Sequence, residues 1–509
     1  MTLVPPLPDP AGAPVTLPAT SDFVEGTWQP CELRLGFDLE DPDTGDRIRP
    51  AFASSAERVE TALAAAAALH RSGAWRGLPD EDRARALESA AAAVEGSVER
   101  IVAAEAFATG VPLTQTTRLG VILSGAFHIA AAQLRAGLLR RTVTGHGGHP
   151  VLVRRAALGP ALCVLPYNAP APMAAHKAAS ALAAGCPVVV KAPEISPYGT
   201  QLLVESAALG LAAAGAPTAV LQLLHGDAAT GARLVADERI RVVSFTGGTE
   251  AGRRIGAVCG QSLKPVQLEL GGNNPLLVLP GSDPVVAGRM AAELLTALNG
   301  QWCRGLGRLI LPTDLAPEVL DATGRELAAL RAGGPLALGT GYGPLAHSRH
   351  HATLTAGVHA LTTAGAKANT WTEVPERGSH FAPLLITGAP EEATRRELFG
   401  PVAAVHTYER EEEALHLANA TGYGLEGYVC AADPDDGLRV AARITAGEVK
   451  VNGSSVMSLH LDTPRPAWGA SGLVDEGSAE TLLHFTGTRV TGVEAGFTPR
   501  TSHWQEENR

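Results

Sequence analysis

Two side chains of this sequence could make and break a covalent bond. Cys303 stands in the run Asn299-Gly300-Gln301-Trp302-Cys303-Arg304, and Glu269 stands 34 positions earlier in Val266-Gln267-Leu268-Glu269-Leu270-Gly271-Gly272. A thiol attacks carbon only as its thiolate, so it needs a group nearby to take its proton, and a carboxylate can do that or activate a water. Taken singly, each residue has a plainer reading. A lone Cys is most often an inert small hydrophobe, and a Glu after a strand is most often solvated. Three further stretches offer groups for a reaction. Asn168, in Pro166-Tyr167-Asn168-Ala169-Pro170, carries an amide that could hold a developing oxyanion or merely shape a turn. Lys191 and Glu194 follow the apolar run Val188-Val189-Val190 at a spacing of three. Thr246-Gly247-Gly248-Thr249-Glu250-Ala251-Gly252 puts glycines between an apolar run and a helix start, where backbone N–H groups and the helix dipole attract phosphate. It is not G-x-G-x-x-G, and a glycine pair alone is a weak signal.

The elements that must carry these residues alternate. Strands are expected at Ala161–Pro166, Pro187–Lys191, Val220–His225 and Arg241–Phe245, with helices at Ala171–Ala184, Tyr198–Ala214 and Ala228–Asp237 between them. That order gives a parallel sheet covered by helices, which binds ligands at the carboxyl ends of its strands. A second alternating region runs from Asn274 to about Ser458. Before the first sheet, short strands are expected at Phe23–Trp28 and Asp41–Asp46, with a turn at Thr44-Gly45. A helix starts at Ser55, and further helices are expected over Asp80–Gly96, Val98–Ala108 and Thr114–Leu138. Arg141–Arg155 reads as a hairpin about a Gly-rich turn, and Leu483–Val490 as a strand.

At 509 residues the chain is too long for one core, and 45% hydrophobic with 18% charged residues is ordinary for a soluble fold. A net charge of −11 argues against a nucleic-acid partner. No apolar run reaches the roughly 18 residues that span a membrane, and Met1–Thr20, rich in Pro and Ala, reads as a flexible arm rather than a secretory signal. Six scattered cysteines suit reduced thiols in a cytoplasmic protein. No metal is expected: no C-x-x-C occurs, and His347, His350 and His351 read as capping or decorating a helix.

Together the motifs resemble those of the aldehyde dehydrogenase superfamily, over roughly residues 22 to 492. The family's E-L-G-G-x-x-P and G-Q-x-C fall on Glu269 and Cys303 at the family separation. P-W-N-F-P is similar to the segment at Pro166, K-P-x-E to Lys191–Glu194, F-T-G-S-T-x-x-G to Phe245–Gly252, and E-x-F-G-P to Glu397–Pro401. The resemblance implies an α/β fold of two parallel-sheet domains with a small β arm. It assigns residues 21–140 and 156–271, with 464–478 returning, to NAD binding, 272–463 to catalysis, and 141–155 with 479–496 to oligomerisation. The implied reaction is oxidation of an aldehyde to its acid. Cys303 attacks, Asn168 and the Cys303 backbone N–H hold the oxyanion, hydride passes to NAD, and Glu269 activates water to cleave the thioester, with Lys177 and Glu476 relaying protons. Pro166, Tyr167, Lys191, Glu194, Gly247, Gly248, Thr249, Gly252, Leu270, Glu397 and Phe399 are the implied cofactor contacts. Glu194 would repel a 2′-phosphate, which favours NAD over NADP.

The sequence departs from the family where P-F-G-G-x-K-x-S-G becomes Pro464-Arg465-Pro466-Ala467-Trp468-Gly469-Ala470-Ser471-Gly472. Aromatics of the family tunnel are replaced by Ala169, His176 and Arg465. Trp302, Arg304 and His460 are further expected substrate contacts, and the arginines point to a bulky, polar or anionic aldehyde. A homodimer or homotetramer is the expected assembly. A CoA-acylating or reductive enzyme of the same family remains open, as does a catalytically silent binding or structural protein on the same fold. Thioester transfer to CoA is disfavoured by Glu269, and silence by the joint presence of Cys303, Glu269 and Asn168.

Overall fold

The computed structural model describes residues 15–145 and 148–494. Two mixed sheets organise it. The first runs, in spatial order, Thr27–Pro30, Ser21–Val24, Leu221–Leu224, Val188–Lys191, Ala161–Val164, Val242–Thr246, Val266–Glu269 and Gly472–Leu473. The five strands from Leu221–Leu224 to Val266–Glu269 are mutually parallel and fully buried. Such strands read as continuous Val/Leu runs because helices cover both faces. One cover packs Asp80–Glu95, Leu113–Arg135, Pro170–Ala183 and Tyr198–Ala213 on one apolar core; the other side rests on Ala56–Ser72 and Thr249–Gln261.

The second sheet runs Lys367–Asn369, Leu384–Thr387, Val402–Tyr408, Leu306–Pro312, Asn274–Val278, Glu426–Cys430 and Glu448–Val451. All its pairings are parallel except the first. The chain passes from one sheet to the other in the four residues between Glu269 and Asn274, so the catalytic candidates lie where the sheets meet. Parallel strands binding ligands at their carboxyl ends is the general rule for such sheets.

A third sheet pairs Arg140–Thr144, Pro150–Ala157 and Thr486–Gly492. The expected hairpin is therefore present; His146 and Gly147 of its turn lie outside the described residues, as do positions 495 and 496 of the expected arm. Positions 1–14 of the expected N-terminal arm also lie outside them. Residues 15–20 are tied to the body, with Arg49 donating to Pro18 O and Gln201 to Ala19 O.

Two expectations for local structure are corrected. Asp41–Asp46 is not a strand but the turn between Leu33–Glu40 and Arg47–Ala53. Asp41 Oδ1 accepts from Asp43 N and Thr44 Oγ1 from Asp46 N, the local bonds by which Asp and Thr favour turns. In the tail, Leu483 and His484 belong to a helix, Ser478–His484, because Thr481 and Leu482 are buried on its inner face; the strand starts at Thr486.

Candidate active site

Glu269 ends a central strand of the first sheet and is 3% exposed. Its neighbour in register is Thr246, and Gly247 N donates to its carbonyl. The glycine-rich loop is thereby held beside the carboxylate. Gly271 and Gly272 then bring in two other segments. A Cβ at Gly271 would lie 2.1 Å from Glu397 Oε2, and one at Gly272 would lie 2.5 Å from Cys303 O. With hydrogens there instead, Gly272 N donates to Glu397 Oε1 at 3.0 Å, and Asn274 Nδ2 donates to Cys303 O at 2.9 Å.

Cys303 sits past a kinked turn. Leu298, Asn299 and Gly300 are consecutive left-handed residues, with φ of 50°, 57° and 71°. Two of them are not glycine, a conformation that persists only where the surroundings over-determine it. Asn299 supplies the restraint: its Nδ2 donates to Gly110 O and Pro344 O, and its Oδ1 accepts from Gly343 N. Gln301 adds bonds to Thr109 O and Ala346 N. The sequence reading assigned no role to either residue; a polar pair flanking a glycine just before a nucleophile is the signal that was available.

Asn168 follows the Ala161–Val164 strand and precedes helix Pro170–Ala183, whose Ala171 N–H is accepted by buried Glu105. The Asn168 amide donates to Gln301 O at 2.7 Å, reaching across to the cysteine turn and keeping a second N–H for another acceptor. Lys177 is fully buried, donating to Ser244 Oγ at 2.7 Å and to Glu476 Oε1 at 3.1 Å.

Glu269, Cys303, Asn168, Glu397 and Glu476 border one cavity of about 360 Å³ that also touches Pro166, Tyr167, Ala169, Gly247, Gly248, Leu270, Trp302, Arg304, Phe399 and Arg465; Lys177 does not line it. Buried polar atoms rarely lack partners. Yet Tyr167 Oη, Thr246 Oγ1, Glu269 Oε2 and His350 Nε2, all on residues of this wall, have no hydrogen-bond partner among the described residues. Such a cluster of orphaned atoms marks a ligand site. Thr246 and His350 were not foreseen as part of it. His347 does cap its helix, accepting from His350 N, and His351 bonds His380 O, whereas His350 packs against Tyr167 and Phe399.

Burial dominates the electrostatics here. Burial, helped by the charge of Glu269 and opposed by Arg304, pushes the Cys303 thiol up to about 12, so the resting form is the thiol. Burial raises Glu269 to about 7 against the pull of Arg304, with the Glu476 carboxylate adding to the rise. Burial also works against the Glu476 carboxylate, but Lys177 and His176 outweigh it and hold it low.

Other candidate residues are placed differently from expectation. His176 bonds Thr481 Oγ1 and does not border the cavity. His460 is an exposed side chain that accepts from Asp462 N and does not border the cavity. His176 was expected as the match to a tunnel aromatic of the resembled family and His460 as added polarity; their bonds to Thr481 and Asp462 engage them elsewhere. Arg304 and Arg465 border the cavity but are engaged by carboxylates: Arg304 by Glu269, Glu426 and Glu448, and Arg465 by Glu448 at 3.3 Å. Gly252 has no open face for a cofactor, since a Cβ there would lie 2.3 Å from Leu270 Cδ2; its role is to let the helix lie on Leu270. Lys191 is paired with Glu194 at 3.2 Å at the end of its strand. Gly248 begins helix Thr249–Gln261 without a side-chain cap and with open space where a Cβ would stand, and Thr249 donates to Ala470 O at 3.4 Å.

Comparison with known proteins agrees with this geometry. The model of the aldehyde dehydrogenase family matches residues 28–491. The chain is 31% identical over 444 residues to geranial dehydrogenase of Castellaniella defragrans, covering 85% of this chain and 90% of that one. It is 30% identical over 491 residues to a betaine aldehyde dehydrogenase of Cereibacter sphaeroides, covering 95% and 98%. Its fold is similar to that of an aldehyde dehydrogenase from Bacillus cereus solved as an NAD+ complex, with a TM-score of 0.87 at 24% identity over 94% of this chain and 97% of that one. The chain belongs to the aldehyde dehydrogenase family.

Proposed function

We propose that this protein oxidises an aldehyde to the carboxylic acid with NAD, through an acyl-cysteine at Cys303 that Glu269 hydrolyses. The observation that carries this reading is the convergence of Cys303, Asn168 and the unpartnered Glu269 Oε2 on the cavity that the Gly247-Gly248 loop also borders.

The residues present fit the cofactor. Gly248 offers an uncapped helix start with no side chain in the way, suited to a pyrophosphate. Lys191 and Glu194 would take the adenosine ribose, and the Glu194 carboxylate favours NAD over NADP. Glu397 would take the second ribose, with Phe399, Tyr167 and His350 around the ring. NAD, when bound, accepts the hydride from the substrate carbon.

Cys303 gives its proton to water in the cavity and bonds the aldehyde carbon as its thiolate. The carbonyl oxygen becomes an oxyanion, held by the free N–H of Asn168 and the Cys303 backbone N–H. Loss of hydride restores the carbonyl as a thioester. Glu269, as its carboxylate, then takes a proton from water and passes it on through the Lys177–Glu476 pair. The hydroxide adds to the thioester carbon, the C–S bond breaks, and the acid leaves with Cys303 as thiolate. A base whose acidity lies near 7 suits this transfer.

The substrate reading changes with the geometry. The anionic aldehyde expected from Arg465 loses its anchor, because that guanidinium already faces Glu448 and Glu426. The apolar part of the wall includes Leu119, Ile122, Pro172, Met173, Trp302 and Val456. An apolar wall rewards apolar area and offers nothing to a charge, so we infer an aldehyde with an apolar chain.

We further infer two domains, 21–140 with 156–271 and 464–478 for the cofactor and 272–463 for the nucleophile, and a homo-oligomer joined through the third sheet. No described helix is long and apolar enough to cross a membrane. All six cysteines are free, which suits the reducing cytoplasm. The direct test is incubation with NAD and paired aldehydes, with and without CoA. NADH and free acid should form in equal amounts whether or not CoA is present, and faster from an apolar aldehyde than from an acidic one of equal length. Acyl-CoA as the product would replace this reading with thioester transfer.

A further inference from the structure

Arg304 directly follows the nucleophile and is 2% exposed. Its guanidinium is shared among three carboxylates. Nη2 donates to Glu269 Oε1 at 2.7 Å, and Nη1 donates to Glu426 Oε2 at 3.1 Å and lies 3.5 Å from Glu448 Oε2. Nη1 also meets Leu425 O at 3.4 Å, and the Arg304 carbonyl accepts from Tyr428 Oη at 2.7 Å. The far carboxylates are themselves held: Lys450 Nζ lies 2.6 Å from Glu426 Oε1, and Arg465 Nε donates to Glu448 Oε2. Three cations and three anions thus cancel in a cluster spanning the end of the first sheet and two strands of the second.

A buried ion cluster is weak evidence for stability, since well-packed apolar residues often replace one without loss. What it does supply is geometry. A guanidinium is a rigid planar fork whose separate nitrogens hold carboxylates on two sides in fixed directions, whereas an ammonium offers three rotatable donors from one point. Here one side grips Glu426 and Glu448, which belong to the second sheet, and the other grips a single oxygen of Glu269. The remaining oxygen, Oε2, is without a partner on the cavity wall.

We propose that Arg304 is a positioning residue for the base: anchored on Glu426 and Glu448, it fixes Oε1 of Glu269 and so presents Oε2 alone to the hydrolytic water. This rests on Glu269 being the base. The groups that face Glu269 are Arg304, Arg465, Glu476 and Cys303. Removing the Arg304 charge should therefore make Glu269 a weaker acid, while keeping the charge without the fork should leave its acidity in place and lose the aim.

Two variants separate these effects, each assayed by the NADH burst in the first turnover and by quenched release of acid from the acyl-enzyme. Arg304→Lys should keep the burst rate within about threefold and slow hydrolysis about tenfold or more, the order expected for a lost charge-assisted hydrogen bond. Arg304→Gln should slow hydrolysis further and move the acidic limb of its pH profile upward. Because Arg304→Gln unbalances a buried cluster and can fail to fold, Arg304→Gln with Glu426→Gln, which restores the charge balance, is measured beside it, with circular dichroism confirming the fold. Hydrolysis at the wild-type rate in Arg304→Lys, or an unmoved acidic limb in the folded Gln variants, would overturn the proposal. So would equal slowing of burst and hydrolysis, which would assign Arg304 to the cysteine turn. Wild-type protein that yields no acyl-enzyme at all would instead remove the reading of Glu269 as base.

Discussion

At the scale of single residues, the chemistry divides cleanly between Cys303 and Glu269. Cys303→Ala should abolish oxidation and leave NAD affinity nearly unchanged, because the thiol bonds the substrate and not the cofactor; turnover in that variant would end the covalent mechanism. Glu269→Gln should give a burst of NADH and then stall at the thioester, since an amide cannot take a proton from water. A full steady-state rate would place the base elsewhere. The pH dependence follows from the raised Glu269 carboxyl. Hydrolysis needs the carboxylate, which is protonated below about 7, so the rate of acyl-enzyme breakdown should fall as pH drops through that value and level off above it. A profile flat from pH 5 to pH 8, an illustrative span on the order of the range in which a carboxyl so raised titrates, would contradict this. These residues were legible because their types name their chemistry. Arg304 was read as a substrate contact because its carboxylate partners, Glu426 and Glu448, are over a hundred positions away in sequence, and nothing in the sequence reveals which side chains close around it.

At the scale of elements, alternation of apolar runs with helical periods was enough to foresee the parallel sheets, because buried parallel strands must be apolar throughout. Turns and tight approaches were less visible. The Asp41–Asp46 turn is set by side-chain bonds to the local backbone, and the Leu298–Gly300 kink by Asn299, whose partners Gly110, Gly343 and Pro344 come from two distant loops. That kink decides where Cys303 points. Asn299→Ala removes three buried hydrogen bonds and leaves Gly110 O, Pro344 O and Gly343 N without that partner, at about 1–3 kcal/mol for each group stranded. The variant should melt several degrees lower and lose on the order of a hundredfold in kcat/KM, because displacement of a reacting group by about 1 Å costs that much. Asn299→Gly, which eases the left-handed backbone but lacks the amide, should be no better. Recovery in the glycine variant would mean that strain, rather than the three bonds, sets the turn.

At the scale of the molecule, the third sheet is the part on which the proposed assembly can be tested. Arg140–Thr144 is exposed along its whole length, and most of Thr486–Gly492 is as well. A small sheet needs an apolar face covered to be stable, yet Val143 is 43% and Val490 65% exposed. Charge adds to the case. In register, Arg140 faces Arg154 and Arg154 faces Arg489, a row of three like charges across three strands. Opposed like charges destabilise a sheet, and in this row only Arg140 has an acidic partner among the described residues, Asp80. Both features suit the proposed homo-oligomer, in which a second copy of this acidic chain, at −11, would supply the apolar contact and the negative charge. Light scattering at micromolar concentration should give the mass of a dimer or tetramer. Val490→Asp places a charge in the apolar part of that contact, away from Cys303, and should lower the mass while leaving the NADH burst of the folded protein intact. A monomeric wild type would show that the sheet stands uncovered, and an unchanged mass in Val490→Asp would place the contact elsewhere.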